Sequence, residues 1–207
     1  MAKPETFDDP FEPQRIFSQT LFGSELARNV EEAGVLCLCK NKGNLPMWSY
    51  YGDGLRGVAV GYDLEVLLKD LEPLETRLDE SPTWKYVFEV NYDSDGQRPV
   101  DEMALLRNDH LTSEERQLMF ATKHSAFDHE DECRVVVQPS ADSQPSYAWP
   151  GYGVYKHAPE AVKELVFGEL TPESDREALR QLLAGRQIEF FEARRSTRSF
   201  DIEIAAA

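Results

Sequence analysis

The stretch KHSAFDHEDECRVVVQP, Lys123 to Pro139, sets two His, four acids and a Cys ahead of an apolar run. It admits three readings: a metal site, a pair of working carboxylates, or a solvated loop that feeds a strand. The two His lie five apart, not the four that align ligands on a helix. On a strand an odd separation puts them on opposite faces. His110 and His157 stand alone in sequence, so no second cluster completes a coordination shell, and no metal site is expected. If a strand begins by His129, then Glu130, Glu132 and Arg134 share one face while Asp131, Cys133 and Val135 share the other. Two carboxylates beside a cation can hold one group ionised and raise the pKa of its neighbour. The plainer alternative is a wet ladder of ion pairs contributing little.

Around this stretch the chain reads as one domain, 3–204. Its 207 residues are 41% hydrophobic and 29% charged, which suits a globular protein with a sizeable core. The net charge of −16 argues against broad nucleic-acid binding, because phosphates need neutralising cations. No apolar run suggests a membrane span and no leader opens the chain, so a cytoplasmic location is expected. Met1-Ala2 and Ala205–Ala207 look like cloning residues and are set apart from the fold. Cys37, Cys39 and Cys133 cannot all pair, and their apolar strand contexts predict reduced, mostly buried side chains.

Periodicity predicts a helix over 13–33 and strands at 35–39, 57–63, 84–92, 133–138, 187–194 and 199–204. VKELVFG, 162–168, reads as a further buried run. MWSYYGDG, 47–54, reads as a lead-in to the second strand. Further helices are expected at 64–71, over most of 100–122 with a break near Asn108 to Thr112, and from Pro172 to Leu183 with Thr171 as N-cap. The order suggests an α+β fold around a mixed, mostly antiparallel twisted sheet flanked by helices.

A second informative stretch is MWSYYGDGLRGVAVGYD. Trp48, Tyr50 and Tyr51 precede a Gly52-Asp53-Gly54 turn and Arg56 follows it. Rings could stack a planar ligand there while Arg56 holds a phosphate or carboxylate; aromatics capping the core are the plainer alternative. The loop 143–157, with Tyr147, Trp149, Tyr152 and Tyr155, could serve as a lid or as a pinned surface loop.

Taken together, FDDPFEP, PMWSYYGDGLRGVAVGYD, the Lys123…Phe127…Glu130-x-Glu132-x-Arg134 row and VKELVFG resemble a bacterial domain family of unknown function, number 2971 in its series. The chain departs from that family's pattern in having Phe127 where Trp is usual and Cys133 where an aromatic is usual. Family members usually begin with a further strand and helix ahead of FDDPFEP; by this resemblance that part is expected to be either missing here or removed. The family's layout is loosely similar to ADP-ribosyltransferase-like folds. That resemblance implies an NAD-dependent transferase or glycohydrolase of toxin or defence type, with NAD as co-substrate and no covalent cofactor. Glu132 would stabilise developing positive charge and Glu130 would activate the acceptor. Tyr50 or Tyr51 would stack the ring beside Trp48 and Lys123, and Arg56 or Arg134 would hold the pyrophosphate. The competing expectation is a catalytically silent module that recognises a protein or nucleotide through an aromatic cleft. A protein target or a cognate inhibitor is the partner expected.

Overall fold

The computed structural model describes residues 1–2, 32–74, 83–93, 112–139 and 151–207. FDDPFEP, the helix expected at 13–33 up to residue 31, the segment 100–111 and the loop residues 143–150 lie outside the described residues. The chain divides into two compact units: Met1–Leu38 with Pro73–Tyr155, and Cys39–Glu72 with Lys156–Ala207. The fold is α+β, and its sheets are mixed but mostly antiparallel, as expected. The strands are shared between sheets rather than gathered into one.

The first unit is built on β1 (Gly34–Cys39), β3 (Thr83–Glu89) and β6 (Glu132–Pro139), in the order β1-β6-β3. β3 and β6 run antiparallel, with Phe88 opposite Arg134 and Val87 opposite Val135. The β-branched run Val135-Val136-Val137 is buried on both faces of β6, the central strand. β4 (Asn91–Asp93) pairs in parallel with β5 (Thr122–His124). Before β5 stands a helix, α3 (Ser113–Phe120), whose start is fixed by a reciprocal capping box between Thr112 and Glu115. Its break with the upstream segment falls where Thr112 takes extended backbone.

The second unit holds β2 (Val58–Tyr62), β7 (Val162–Gly168), β8 (Glu189–Arg195) and β9 (Ile202–Ala206), in the order β9-β8-β7-β2. β7 and β8 are parallel while the other two pairings are antiparallel. The parallel pair needs a crossover, which α4 (Glu173–Leu182) supplies. Two shorter helices, α1 (Leu45–Tyr50) and α2 (Leu64–Lys69), begin at Asn44 and Asp63, whose side chains accept the N–H of Met47 and Val66. Gly168 ends β7 where the chain crosses Leu55: a Cβ there would lie 2.2 Å from the Leu55 carbonyl oxygen.

Several expectations need correction. MWSYYGDG opens with a helix rather than an extended lead-in, because the Asn44 cap and Pro46 in the first turn pre-set helical backbone. Thr171 does not cap α4; its hydroxyl donates to the Gly57 carbonyl at 2.8 Å, and Pro172 takes the N-cap place. The terminal residues set apart from the fold take part in it. Ala205 and Ala206 pair with Glu192 and Phe191, and Ala2 exchanges two backbone hydrogen bonds with Val35. No disulfide joins the cysteines, but they are not the core residues expected. Cys37 is exposed and Cys39 and Cys133 are half-buried, because only the Gly34–Val35 end of β1 is covered. Among the described residues no helix is long and apolar enough to cross a membrane.

Candidate functional site

The acid-rich stretch folds as a 3-10 turn, Ser125–Glu130, followed by β6. The His124 ring accepts the Ala126 N–H at 3.0 Å and so caps that turn. Asp131 then takes a left-handed conformation, φ 46°, which Asp tolerates better than most residues. This single residue overturns the expectation that Glu130, Glu132 and Arg134 form one strand row. Glu130 leaves from the turn and Glu132 from the strand, and both are brought to Lys123 on β5.

The result is a buried four-membered ionic cluster. Lys123 Nζ donates to Glu130 Oε2 at 2.5 Å and stands 3.7 Å from Glu132 Oε1. Arg134 donates through Nε and Nη2 to Glu132 Oε2 at 2.9 and 2.7 Å, and through Nη1 to the Phe120 carbonyl at 2.9 Å. A buried Arg134 needs a carboxylate partner; of Glu130, Glu132 and the acids of MWSYYGDG such as Asp53, Glu132 supplies it. The Glu132 N–H donates to the Tyr92 hydroxyl at 2.9 Å, and Lys123 Nζ lies 4.7 Å from the Phe127 ring centre. All four charged side chains are buried, and among the described residues the group holds two cations and two carboxylates.

Glu130, at the end of the 3-10 turn beside Asp128 and His129, is buried. Burial pushes its carboxyl above the usual value, opposed by the hydrogen bond and charge of Lys123. Burial likewise raises the Tyr92 hydroxyl, with the nearby carboxylates adding to the effect. Among the described residues no group of three or more His, Cys, Asp or Glu converges as metal ligands would.

The aromatic stretch lies in the second unit. Tyr50 lies about 200° around the helix from Trp48, and Tyr51 is the C-cap at the helix end. Trp48 is buried with Leu55, Val166 and Ala193, and its Nε1–H donates to the Lys42 carbonyl at 2.8 Å. Tyr50 and Tyr51 are 68% and 64% exposed. Arg56 is exposed, with Nη1 3.4 Å from the Asp53 carbonyl. So Trp48, Tyr50, Tyr51 and Arg56 do not make one stacking group; Trp48 is an anchor and the others are surface.

Sequence reasoning missed a second buried ionic group. Arg176 on α4 bonds Glu192 Oε1 at 2.8 Å, and Arg194 Nε donates to Glu192 Oε2 at 2.5 Å. Arg176 also donates to the carbonyls of Thr171 and Gly168, at 3.0 and 2.7 Å, and stacks over Phe167. Burial pushes Glu192 up, but the hydrogen bonds of Arg176 and Arg194 outweigh it and hold the carboxyl below its usual value. The legible sign was the spacing: Glu192-Ala193-Arg194 repeats the Glu-x-Arg pattern of Glu132-Cys133-Arg134.

Fold and site thus define an α+β protein with a buried carboxylate–cation cluster in one unit and an aromatic turn in the other. Residues 47–135 match a family model described as Protein of unknown function (DUF2971). This bears out the family resemblance over a stretch that takes in both Tyr50–Arg56 and Lys123–Arg134. No curated protein and no solved structure matches the chain.

Proposed function

We propose that this chain is a recognition module that captures a protein partner through the turn Tyr50–Arg56. The supporting observation is how the turn is held. Asp53, Gly54 and Leu55 follow one another at φ 48°, 59° and 71°, a left-handed run that a Leu adopts only when its surroundings impose it. A non-Gly residue so placed stores about 1–3 kcal/mol, which applies to Asp53 and Leu55, whereas Gly54 adopts it freely. Leu55 is buried against Trp48, Val166 and Ala193, and its carbonyl accepts the Leu170 N–H at 2.9 Å. A strained turn anchored from beneath presents Tyr50, Tyr51, Asp53 and Arg56 outward. Tyr and Arg dominate interface hot spots, and a surface ordered before binding loses less entropy on contact.

The test starts from cross-linking in cells to identify the partner, followed by reconstitution from purified components. The double variant Tyr50→Ala, Tyr51→Ala should weaken the reconstituted complex at least a hundredfold with the melting temperature unchanged. Equal affinity of the double variant for the reconstituted partner would sink the proposal.

One observation supports the transferase-like reading as a second proposal: Glu130 and Glu132 flank one Lys, and burial makes the Glu130 carboxyl reluctant to ionise. What favours recognition over turnover is that Glu132 is engaged by Arg134 and Lys123, and that Trp48 shows no open face to a nicotinamide ring. Incubation with NAD, followed by chromatography for released nicotinamide, decides it. Release that Glu132→Gln abolishes supports the enzyme; no release by the wild type ends that reading.

A further inference from the structure

Strand β3 carries a feature that the reading above leaves unused. Along TWKYVFE, residues 84, 86 and 88 fall on one face, so Trp84, Tyr86 and Phe88 form an aromatic row on the edge strand of the first unit's sheet. Tyr86 and Phe88 are stacked, with centroids 5.9 Å apart and planes at 17°. Trp84 ends the row and is 57% exposed.

Arg116 on α3 lies over this row, its guanidinium carbon 4.7 Å from the Tyr86 ring centre. Its Nε is buried and has no hydrogen-bond partner among the described residues. Leaving a buried donor unmade is costly, and in a chain of net charge −16 carboxylates are abundant. The neighbours of Arg116 are committed elsewhere: Glu115 to the Thr112 cap and Gln117 to the carbonyls of Glu89 and Ala121. Glu114 sits two residues away and does not face it along a helix.

We propose that this face binds a mononucleotide, with the base stacked on Trp84 and the phosphate held by Arg116. An exposed indole offers a planar stacking surface that tolerates any base. A guanidinium offers the fork that phosphate oxygens accept. Positions 84 and 86 stand about 7 Å apart along a strand, a gap that a ribose can bridge. A single cation fits a single anionic group, whereas the remaining phosphates of a polymer would meet an acidic chain.

Titration of the full chain with AMP tests this, read by calorimetry and by quenching of Trp fluorescence. AMP should saturate, with adenosine and inorganic phosphate each at least tenfold weaker. Arg116→Gln should weaken AMP at least tenfold and leave adenosine unchanged. Trp84→Leu, at an exposed position, should weaken AMP and adenosine alike and remove the quench. If Arg116→Gln fails to fold, Arg116→Lys replaces it, keeping charge without the fork and giving intermediate affinity. No saturation with millimolar AMP overturns the proposal, as does an Arg116 variant binding AMP like the wild type. So does tighter binding of a single-stranded oligonucleotide or of an aromatic, acidic peptide.

Discussion

Two Glu-x-Arg pairs, one in each unit, carry the same local geometry and opposite electrostatics. Glu132 and Arg134 lie on β6, Glu192 and Arg194 on β8, and in each pair the Arg Nε donates to the Glu Oε2 two residues before it. Strand alternation alone produces that contact. Around Glu132, the Arg is buried and two further charges, Lys123 and Glu130, close the group. Around Glu192, Arg194 reaches solvent with 60% of its side chain exposed. There the buried cation is Arg176, whose other N–H groups go to backbone carbonyls. Among the described residues, one cluster sets two cations against two carboxylates; the other sets two guanidinium groups around a single carboxylate. The motif is local, and its charge environment is made by the elements packed on it.

Removing Lys123 should have the largest effect. Lys123→Met takes a buried cation from both Glu130 and Glu132, at a cost of about 3–5 kcal/mol, measured as a lower urea midpoint. Arg176→Met should cost less, about 2–3 kcal/mol, because Glu192 retains Arg194 while three backbone carbonyls lose donors. If Arg176→Met proves the more damaging, the charge-balance comparison fails and carbonyl capping dominates. Glu132→Gln keeps an acceptor for Arg134 and should lose about 1–2 kcal/mol. A thermal midpoint unchanged in that variant would mean that Lys123 and Glu130 carry the cluster by themselves.

The smallest effects are in pH dependence, where the two clusters should differ in sign. Glu130 has a folded pKa above its usual 4.5. Its contribution is therefore present below that value and is lost as pH rises through the folded pKa. Glu192 has a folded pKa below 4.5, so its contribution is present above that value and is lost as pH falls through the folded pKa. Urea midpoints across the acid-to-neutral range should show Glu130→Gln gaining on the wild type as pH rises. Glu192→Gln should instead flatten the acid limb. The Glu169–Arg195 pair adds to that acid limb: hydrogen bonds from the Arg195 side chain and backbone push Glu169 down to about 2. Its exposure makes Glu169→Gln the mildest of these changes. Parallel slopes for Glu130→Gln and Glu192→Gln would break the comparison.

Much of the strand framework was legible. VKELVFG, singled out without an assigned element, forms β7, and β2, β6 and β8 lie within a residue or two of the expected runs. These segments are β-branched and aromatic runs that fit a pleated, half-buried surface, and the sheets of this fold supply one. The Glu132–Arg134 contact was legible for the same reason, since a two-residue step on a strand puts both side chains on one face. Helix entries written in side chains, such as Thr112 with Glu115, were equally local, although Asn44 was overlooked beside the aromatics that follow it.

What sequence alone determined about this protein is thus its α+β class, most of its strands and the pairing of acids with Arg at short spacing. All of these depend on interactions within a few residues. Only the tertiary structure decided the rest. The left-handed Asp131 lifts Glu130 off the strand row and delivers it to Lys123. Arg176 meets a carboxylate sixteen positions along the chain. Leu55 is held at φ 71° because its side chain fills a core with Trp48, Val166 and Ala193. Ala205 and Ala206, featureless as sequence, become strand because β8 offers a free row of backbone groups. Each of these turns on burial and on partners remote in sequence, where desolvation multiplies the strength of an electrostatic contact and the cost of an unmet one. Local propensity carries no information about which distant group will meet that need.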